Sequence, residues 1–262
     1  MSDWLNLFHK EYRMTRNSAF ISLAILLIGG LWLVYLSYLN NIAVVIIPAA
    51  FLLMFLLFYP ALYILRSLAW EWRVSPHLWL HCPQPAWKLL SAKLVIPFLH
   101  MIAVMAVTAT LLSLGISINP HPEQMSSINT SQLLLFIIEI GFYAAVFTVA
   151  ASIYIGAWAT LISVASAMSG NILGRFRWLT GIAVFFVATV VVGRLQQTWI
   201  YEQLTCWGPI NIGMPEYPLI LRTNITMGLV GQCYIGQLLF YLLLTAALFA
   251  LSAWLIDHKV EV

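Results

Sequence analysis

Two ionisable side chains lie inside long apolar stretches of this chain, and such groups are the first candidates for chemistry. Glu139 lies about 10 Å along a helix from the start of the apolar stretch 132–168, at 1.5 Å per residue. If that stretch spans a membrane, the carboxylate marks a polar cavity or pathway, or it is protonated or hydrogen-bonded near the interface. His100 lies about two turns into the stretch 94–118, where a packing role between helices is the more common one. We keep Glu139 as a candidate residue of a cargo pathway.

Sequence motifs for nucleotide hydrolysis, zinc proteolysis and serine hydrolysis are absent from the chain. It contains no GxxxxGK[ST] phosphate loop, no HExxH and no GxSxG. Cys82, Cys206 and Cys233 do not have the spacing of metal ligands, although Cys206 and Cys233 could either pair or remain free thiols. The sequence therefore predicts no catalytic residue, no metal site and no cofactor in this chain, which is not expected to be an enzyme by itself.

The composition places the chain in a membrane. Of its 262 residues 62% are hydrophobic and only 8% are charged, and the mean hydropathy is +0.93. Soluble domains have about 25% charged residues, so lipid is needed to cover this much apolar surface. The net charge of +3 is small, and the basic residues lie beside apolar segments, which indicates contact with membrane lipid and not with nucleic acid.

Six apolar segments are long enough to cross a bilayer, for which about 20 residues are needed. They are residues 19–39, 42–65, 94–118, 132–168, 178–193 and 235–256. The fourth is too long for a simple span and is expected to project from the membrane or to break near Gly156. The fifth is short and is expected to continue as helix past Arg194. The predicted fold is an all-α polytopic membrane protein with six transmembrane helices, and residues 1–262 form one membrane domain.

The distribution of lysine and arginine predicts the orientation. With both termini in the cytoplasm, ten of the twelve basic residues lie on the inner side and only Arg194 and Arg222 on the outer side. The ten are Lys10, Arg13, Arg16, Arg66, Arg73, Lys88, Lys93, Arg175, Arg177 and Lys259. Because short basic loops stay in the cytoplasm, we expect a multi-pass plasma-membrane protein with both termini inside.

Three polar segments outside the spans have patterns of their own. Residues 1–18 place Trp4, Leu5, Phe8 and Tyr12 on one helical face, which is typical of an interfacial helix. The basic loop 66–93 ends in the amphipathic stretch 85–93, which is predicted to be a short helix with a proline in its first turn. The aromatic outer segment 194–234 is predicted to form short re-entrant or interfacial helices.

This arrangement resembles the six-helix permease subunits of ABC-2 type transporters. The resemblance covers nearly the whole chain in layout and rests on a few local patterns. These are Lys10-Glu11-Tyr12-Arg13 in the first helix, then Glu71, Leu78-Trp79-Leu80, Pro83 and Lys88-Leu89-Leu90-Ser91-Ala92-Lys93 between spans two and three. The chain departs from the family at Val74-Ser75-Pro76 and at Gln84-Pro85.

The resemblance implies an exporter that uses ATP bound with Mg²⁺ by a separate cytoplasmic ATPase subunit. It further implies a second permease copy or a homologous permease, an amphipathic or hydrophobic cargo (a peptide, an antibiotic or a lipid-like molecule), and a bacterial source. The stretch 85–93 would be the coupling helix. Its ATPase-docking residues would be Ala86, Trp87, Lys88, Leu89 and Leu90.

Two other classes of function stay open at this point. One is an intramembrane enzyme acting on lipid or peptide, which would need two or more polar groups at one depth. The other is a non-catalytic membrane scaffold or sensor. Stoichiometric binding of an ATPase would separate the transporter subunit from both.

Overall fold

The computed structural model describes residues 2–39, 43–74, 84–118, 130–169, 176–212 and 231–259. Most of these residues are helical. In chain order the elements are α1 (Ser2–Leu39), α2 (Ala43–Val74), α3 (Ala86–Ile118), α4 (Thr130–Met168), α5 (Arg177–Gln196), α6 (Trp199–Thr205), β1 (Pro209–Ile212), β2 (Gly231–Tyr234) and α7 (Ile235–Lys259). Predictions for residues 75–83 and 213–230, including the sequence patterns at Leu78-Trp79-Leu80 and Pro83, lie outside the described residues.

Six of these helices are long and apolar enough to cross a membrane: α1, α2, α3, α4, α5 and α7. This confirms the predicted fold class, an all-α multi-pass membrane protein. The two short strands, β1 and β2, were not predicted; they pair antiparallel with Ile210 opposite Cys233. Four residues are too few for the alternation of polar and apolar side chains to identify a strand from sequence.

Helix α1 begins at Ser2 and continues without interruption through the first span to Leu39. The sequence predicted a separate interfacial helix over residues 1–18, and its helical conformation is present, but no break follows it. The physical reason is local, because residues 1–28 contain neither proline nor glycine. The Thr15 and Ser22 hydroxyls also donate to the helix's own carbonyls at Glu11 and Ala19. At 1.5 Å per residue α1 is about 57 Å long, well beyond the roughly 30 Å of a hydrocarbon core.

The fourth and fifth spans also differ in detail from their sequence boundaries. Helix α4 has 39 residues and runs through Gly156 without a break, so of the two predicted alternatives the break is wrong. Its length of about 58 Å means that it projects beyond a bilayer core. Helix α5 ends at Gln196, which confirms the continuation past Arg194.

Helix α4 occupies the centre of the bundle and packs against α2, α3, α5 and α7, while α1 packs mainly against α3. Its buried residues Trp158 and Leu161 form a core cluster with Leu248 of α7. A second cluster joins Leu56 of α2 to Met101 of α3. Because α3 touches α1, α2, α4 and α7, a change in its position would be felt by most of the bundle.

The start of α1 and the end of α7 lie at the same end of the bundle. Trp4 of α1 contacts Ser91 near the start of α3, and Asp257 near the end of α7 contacts Ala86 at the start of α3. We call this end, which also carries the end of α2 and most of the described lysines and arginines, the basic end. Its position agrees with the predicted topology, in which an even number of spans brings the termini together.

The opposite end carries α6 and the strand pair, within the predicted outer segment 194–234. The chain leaves α6 through Gly208, whose φ of +67° favours glycine. It returns at Gly236, where a Cβ atom would lie 2.8 Å from the Thr205 Cα. Of the predicted outer helices the described residues include α6, which has seven residues.

Candidate functional site

Helix α3 begins at Ala86, the first residue of the predicted docking set. Ala86 and Leu90 are each 1% exposed and pack with Ile64, Leu68 and Ala253. Residues four apart share one face of a helix, so both side chains point into the bundle. They therefore anchor α3 to this chain's own core and do not present themselves to a partner.

The other three residues of the set remain accessible. The side chain of Trp87 is 50% exposed, and Lys88 and Leu89 are partly exposed. The ammonium of Lys88 lies 5.8 Å from the centroid of the Trp87 ring, within cation–π range. Trp87, Lys88 and Leu89 are thus the part of the predicted docking set that another protein could contact, and docking itself stays a prediction.

The predicted coupling helix is not a separate helix. Its residues form the first turns of α3, which continues for 33 residues to Ile118. Pro85 stands immediately before the helix and its carbonyl accepts the N–H of Lys88 at 3.0 Å. A proline at this position fits the start of a helix, because its missing N–H would have no partner there.

A buried ion-pair cluster joins α1, α2 and α3 two turns further along. Lys93 is 3% exposed, and its ammonium donates to Glu11 Oε1 at 2.9 Å, Ser67 Oγ at 3.1 Å and Glu71 Oε1 at 2.5 Å. The three N–H donors of the ammonium are therefore all used. Glu11 is also buried, at 8% exposure. We call these four residues the Lys93 cluster.

The Lys93 cluster can hold three helices in register. Burying a lysine is costly unless carboxylates and hydrogen bonds compensate for the lost water. Two glutamates and a hydroxyl, each from α1 or α2, provide that compensation only when α3 lies at one height and rotation. Removal of one partner from such a cluster costs about 3–5 kcal/mol, although replacement of the whole cluster by apolar residues is often neutral. The cluster therefore favours one arrangement over its alternatives.

Two further polar contacts hold the start of α3. The backbone N–H of Ala86 donates to Asp257 Oδ1 at 3.0 Å, so a carboxylate from α7 caps the helix and interacts favourably with its dipole. The indole N–H of Trp4 donates to Ser91 Oγ at 3.1 Å. Helices α1, α2 and α7 thus all contact the first two turns of α3 through polar groups.

Next to the Lys93 cluster, a cleft of about 1200 Å³ opens between α1, α2 and α3. Arg16 and Arg66 line it near the basic end, and Phe20, Leu62 and Leu99 line it further in. Neither arginine forms an ion pair with any described residue. The cleft therefore combines unpaired cations with apolar walls.

His100 links the same three helices deeper in the cleft. Its Nε2 lies 2.9 Å from Ser22 Oγ and its Nδ1 lies 2.8 Å from Tyr59 Oη. The Ser22 hydroxyl also lies 2.8 Å from the Ala19 carbonyl oxygen. Either ring tautomer can make both contacts of His100, since each hydroxyl can donate or accept. This arrangement agrees with the packing role expected for His100.

Glu139 lies apart from the Lys93 cluster, the cleft and His100. It lies in the half of α4 nearest the opposite end and is partly exposed. It forms no ion pair with any described residue, and it does not line the cleft. Its assignment to a cargo pathway stays a prediction.

Of the cysteines, Cys206 is an exposed free thiol, and the side chain of Cys233 lies outside the described residues. Among the described histidine, cysteine, aspartate and glutamate side chains, no three are grouped so that they could hold a metal ion.

Sequence reasoning missed the Lys93 cluster as a unit. Glu11, Glu71 and Lys93 were each noted, but only as parts of a family pattern or of a charge count. The signal available was their rarity, since the chain has only nine acidic residues and two of them stand beside predicted spans on the side rich in lysine and arginine. Their convergence depends on contacts across 22 and 82 positions, which spacing alone does not reveal.

In comparisons with known proteins, no family model, curated protein or solved structure matches this chain. The functional assignment consequently rests on the chain's own geometry and on the resemblance in layout described above.

Proposed function

We propose that this chain is the membrane-spanning permease subunit of an ABC exporter of the ABC-2 type. Its six spans form half of a translocation path, and a second copy or a homologous permease forms the other half. A separate cytoplasmic ATPase subunit binds ATP and Mg²⁺ and drives the change of access. This assignment rests on layout and on one site, since a fold class by itself does not define a function.

The observation that carries the proposal is the anchoring of the start of α3. Helices α1, α2 and α7 hold it through the Lys93 cluster, Trp4 and Asp257, while Trp87 protrudes beside it. A partner that binds Trp87, Lys88 and Leu89 would move a segment fastened to three other helices. Rigid-body motion of this kind is how packed helices transmit a conformational change.

In this proposal the basic end faces the cytoplasm of a bacterial cell. The support is the positive-inside rule together with the meeting of the start of α1 and the end of α7 at that end. An ATPase in the cytoplasm could then reach Trp87 directly.

The proposed cargo is amphipathic or hydrophobic: a peptide, an antibiotic or a lipid-like molecule. The support is the chemistry of the membrane helices, which expose large apolar side chains along much of their length.

The test is purification of the chain from its native membrane in a mild detergent, with identification of whatever copurifies. We expect a stoichiometric soluble subunit that has a phosphate-binding loop and hydrolyses ATP. The double variant Trp87→Glu/Leu89→Glu should lose this subunit, because burying two new carboxylates at a docking surface is unfavourable.

The matched control is Trp199→Glu, which places the same substitution on a tryptophan that is 67% exposed at the opposite end. It should retain the ATPase. If the double variant also retains it, the docking surface is elsewhere. If intact, folded chain brings down no ATPase, the transporter proposal fails; the intramembrane enzyme or scaffold then takes its place, and Glu139 becomes the residue to substitute.

A further inference from the structure

In the cleft between α1, α2 and α3, the charged and the apolar residues lie at different depths along the helix axes. The proposed transport function does not use this arrangement. Helices α1 and α2 run antiparallel, and two contacts define their register. Glu11 and Glu71 meet at Lys93, and Ser22 and Tyr59 meet at His100. Ser22 lies eleven residues after Glu11 on α1, and Tyr59 lies twelve residues before Glu71 on α2, so the two helices advance together.

This register places Arg16 and Arg66 at the same height, because Arg16 lies five residues after Glu11 and Arg66 lies five residues before Glu71. Both arginines line the cleft. The depth of the two arginines in the membrane follows from the predicted span boundaries. Arg16 stands three residues before the predicted span 19–39, and Arg66 immediately follows the predicted span 42–65. The predicted span boundaries therefore place both arginines near the level of the lipid headgroups.

Among the described residues, the neighbouring carboxylates form no ion pair with these arginines. Glu11 and Glu71 are engaged by Lys93, and neither Arg16 nor Arg66 forms an ion pair with a described residue. Arg16 and Arg66 both line this cleft, and a pair of arginines suits a phosphate, which accepts forked hydrogen bonds from guanidinium groups.

Deeper than the arginines, apolar side chains from all three helices line the cleft, beside the polar contacts of His100 with Ser22 and Tyr59. Phe20, Leu62 and Leu99 line it and are 60%, 63% and 49% exposed. On α1 the step from Arg16 to Phe20 is about 6 Å, taking 1.5 Å per residue. An occupant therefore needs an anionic group at one end and hydrocarbon directly beneath it.

We propose that this cleft binds one anionic phospholipid from the surrounding bilayer. Arg16 and Arg66 hold its phosphate, and an acyl chain lies against Phe20, Leu62 and Leu99. The proposal depends on the membrane location of the chain but not on its identity as an ABC permease.

The experiment uses the full chain in a mild detergent after removal of native lipid. Phosphatidylglycerol and phosphatidylcholine with the same acyl chains are titrated separately, and bound lipid is counted by native mass spectrometry. We expect phosphatidylglycerol to bind more tightly. Its affinity should fall about fivefold in Arg16→Gln and in Arg66→Gln, and about 25-fold in the double variant, from the usual contribution of one basic residue near anionic lipid.

The matched control is Arg13→Gln, which removes an exposed arginine of the same helix that does not line the cleft. Its affinity for phosphatidylglycerol should stay unchanged. Leu62→Trp should lower the affinity for both lipids, because it fills the apolar part of the cleft while leaving both arginines in place.

Three results would overturn the proposal. Equal binding of the two lipids by the unaltered chain would remove the role of the headgroup. An equal loss in Arg13→Gln would indicate a general surface-charge effect. Displacement of phosphatidylglycerol by millimolar inorganic phosphate would indicate a site for a free anion and not for a lipid.

Discussion

The two ends of the bundle are held together by different forces. At the basic end, charged and polar side chains link the helices, and both ion pairs among the described residues involve Lys93. At the opposite end, edge-on contacts between aromatic rings and backbone hydrogen bonds link the elements. The Phe240 ring meets Tyr201 edge-on at 4.9 Å, and the Gly208 carbonyl accepts the N–H of Ile235 at 3.1 Å. Displacing one partner of a buried ion-pair cluster is strongly destabilising, so we expect the basic end to be the more rigid.

The largest effect is expected at the centre of the basic end. Lys93→Ala leaves Glu11 and Glu71 close together and partly desolvated, and should lower the free energy of unfolding by about 3–5 kcal/mol. Thermal unfolding in detergent measures this loss. Arg13→Ala is the control, because Arg13 is exposed and an unremarkable surface substitution changes stability by no more than about 0.5 kcal/mol.

A triple variant separates the loss of one charge from the loss of the whole Lys93 cluster. Lys93→Met combined with Glu11→Leu and Glu71→Leu removes every charge of the Lys93 cluster and should recover most of the lost stability. A Lys93→Ala protein as stable as the unaltered chain would show that the cluster does not hold the helices.

The next largest loss of stability is expected at the opposite end of the bundle. Gly236→Ala places a methyl group 2.8 Å from the Thr205 Cα, so α6 and α7 must separate. Overpacking of this kind costs about 1–3 kcal/mol, measured by the same thermal unfolding. Gly193→Ala in α5 is the control, because nothing lies within 4 Å of the added carbon. Equal stability of the two variants would mean that α6 is not packed tightly on α7.

A smaller effect is expected from the cap of α3. Asp257→Ala removes the acceptor of the Ala86 N–H and should cost about 1 kcal/mol, the usual value for the loss of a helix N-cap. Asp257→Asn keeps an oxygen acceptor and should retain most of the stability. If both variants lose the same amount in thermal unfolding, the negative charge matters and not the hydrogen bond.

The smallest effect is expected at Glu139. With no ion pair to any described residue, Glu139→Gln should change the free energy of unfolding by less than about 0.5 kcal/mol. Thermal unfolding beside the unaltered chain checks this. A large loss would reveal a structural role for the carboxylate, whereas an unchanged stability leaves Glu139 available for the predicted cargo pathway.

The features that depend on residue composition were predictable from sequence. Span number and helical class follow from long apolar segments, which leave few other ways to satisfy backbone hydrogen bonds in lipid. Boundaries were less predictable: residues 1–18 and 19–39 differ in polarity, yet nothing between them interrupts a helix, and α1 is continuous.

The candidate site was predictable only in part. The position of the predicted docking segment followed from Pro85 and the amphipathic turn after it. Which of its faces is buried and which is exposed did not follow from the sequence. Which face of a helix turns inward depends on neighbours such as Ile64 and Ala253, and these are distant in sequence. The Lys93 cluster and the strand pair β1–β2 depend on the same kind of long-range contact.

The length of α3 has a mechanical consequence. Because Trp87 and Ile118 belong to one helix of 33 residues, they are the two ends of a rod about 50 Å long. A tilt of about 10° about its midpoint would move each end roughly 4 Å in opposite directions. A displacement of Trp87 would therefore pass along one continuous helix toward Ile118 with no loop between them, and Pro97 is the position in that helix where it could bend.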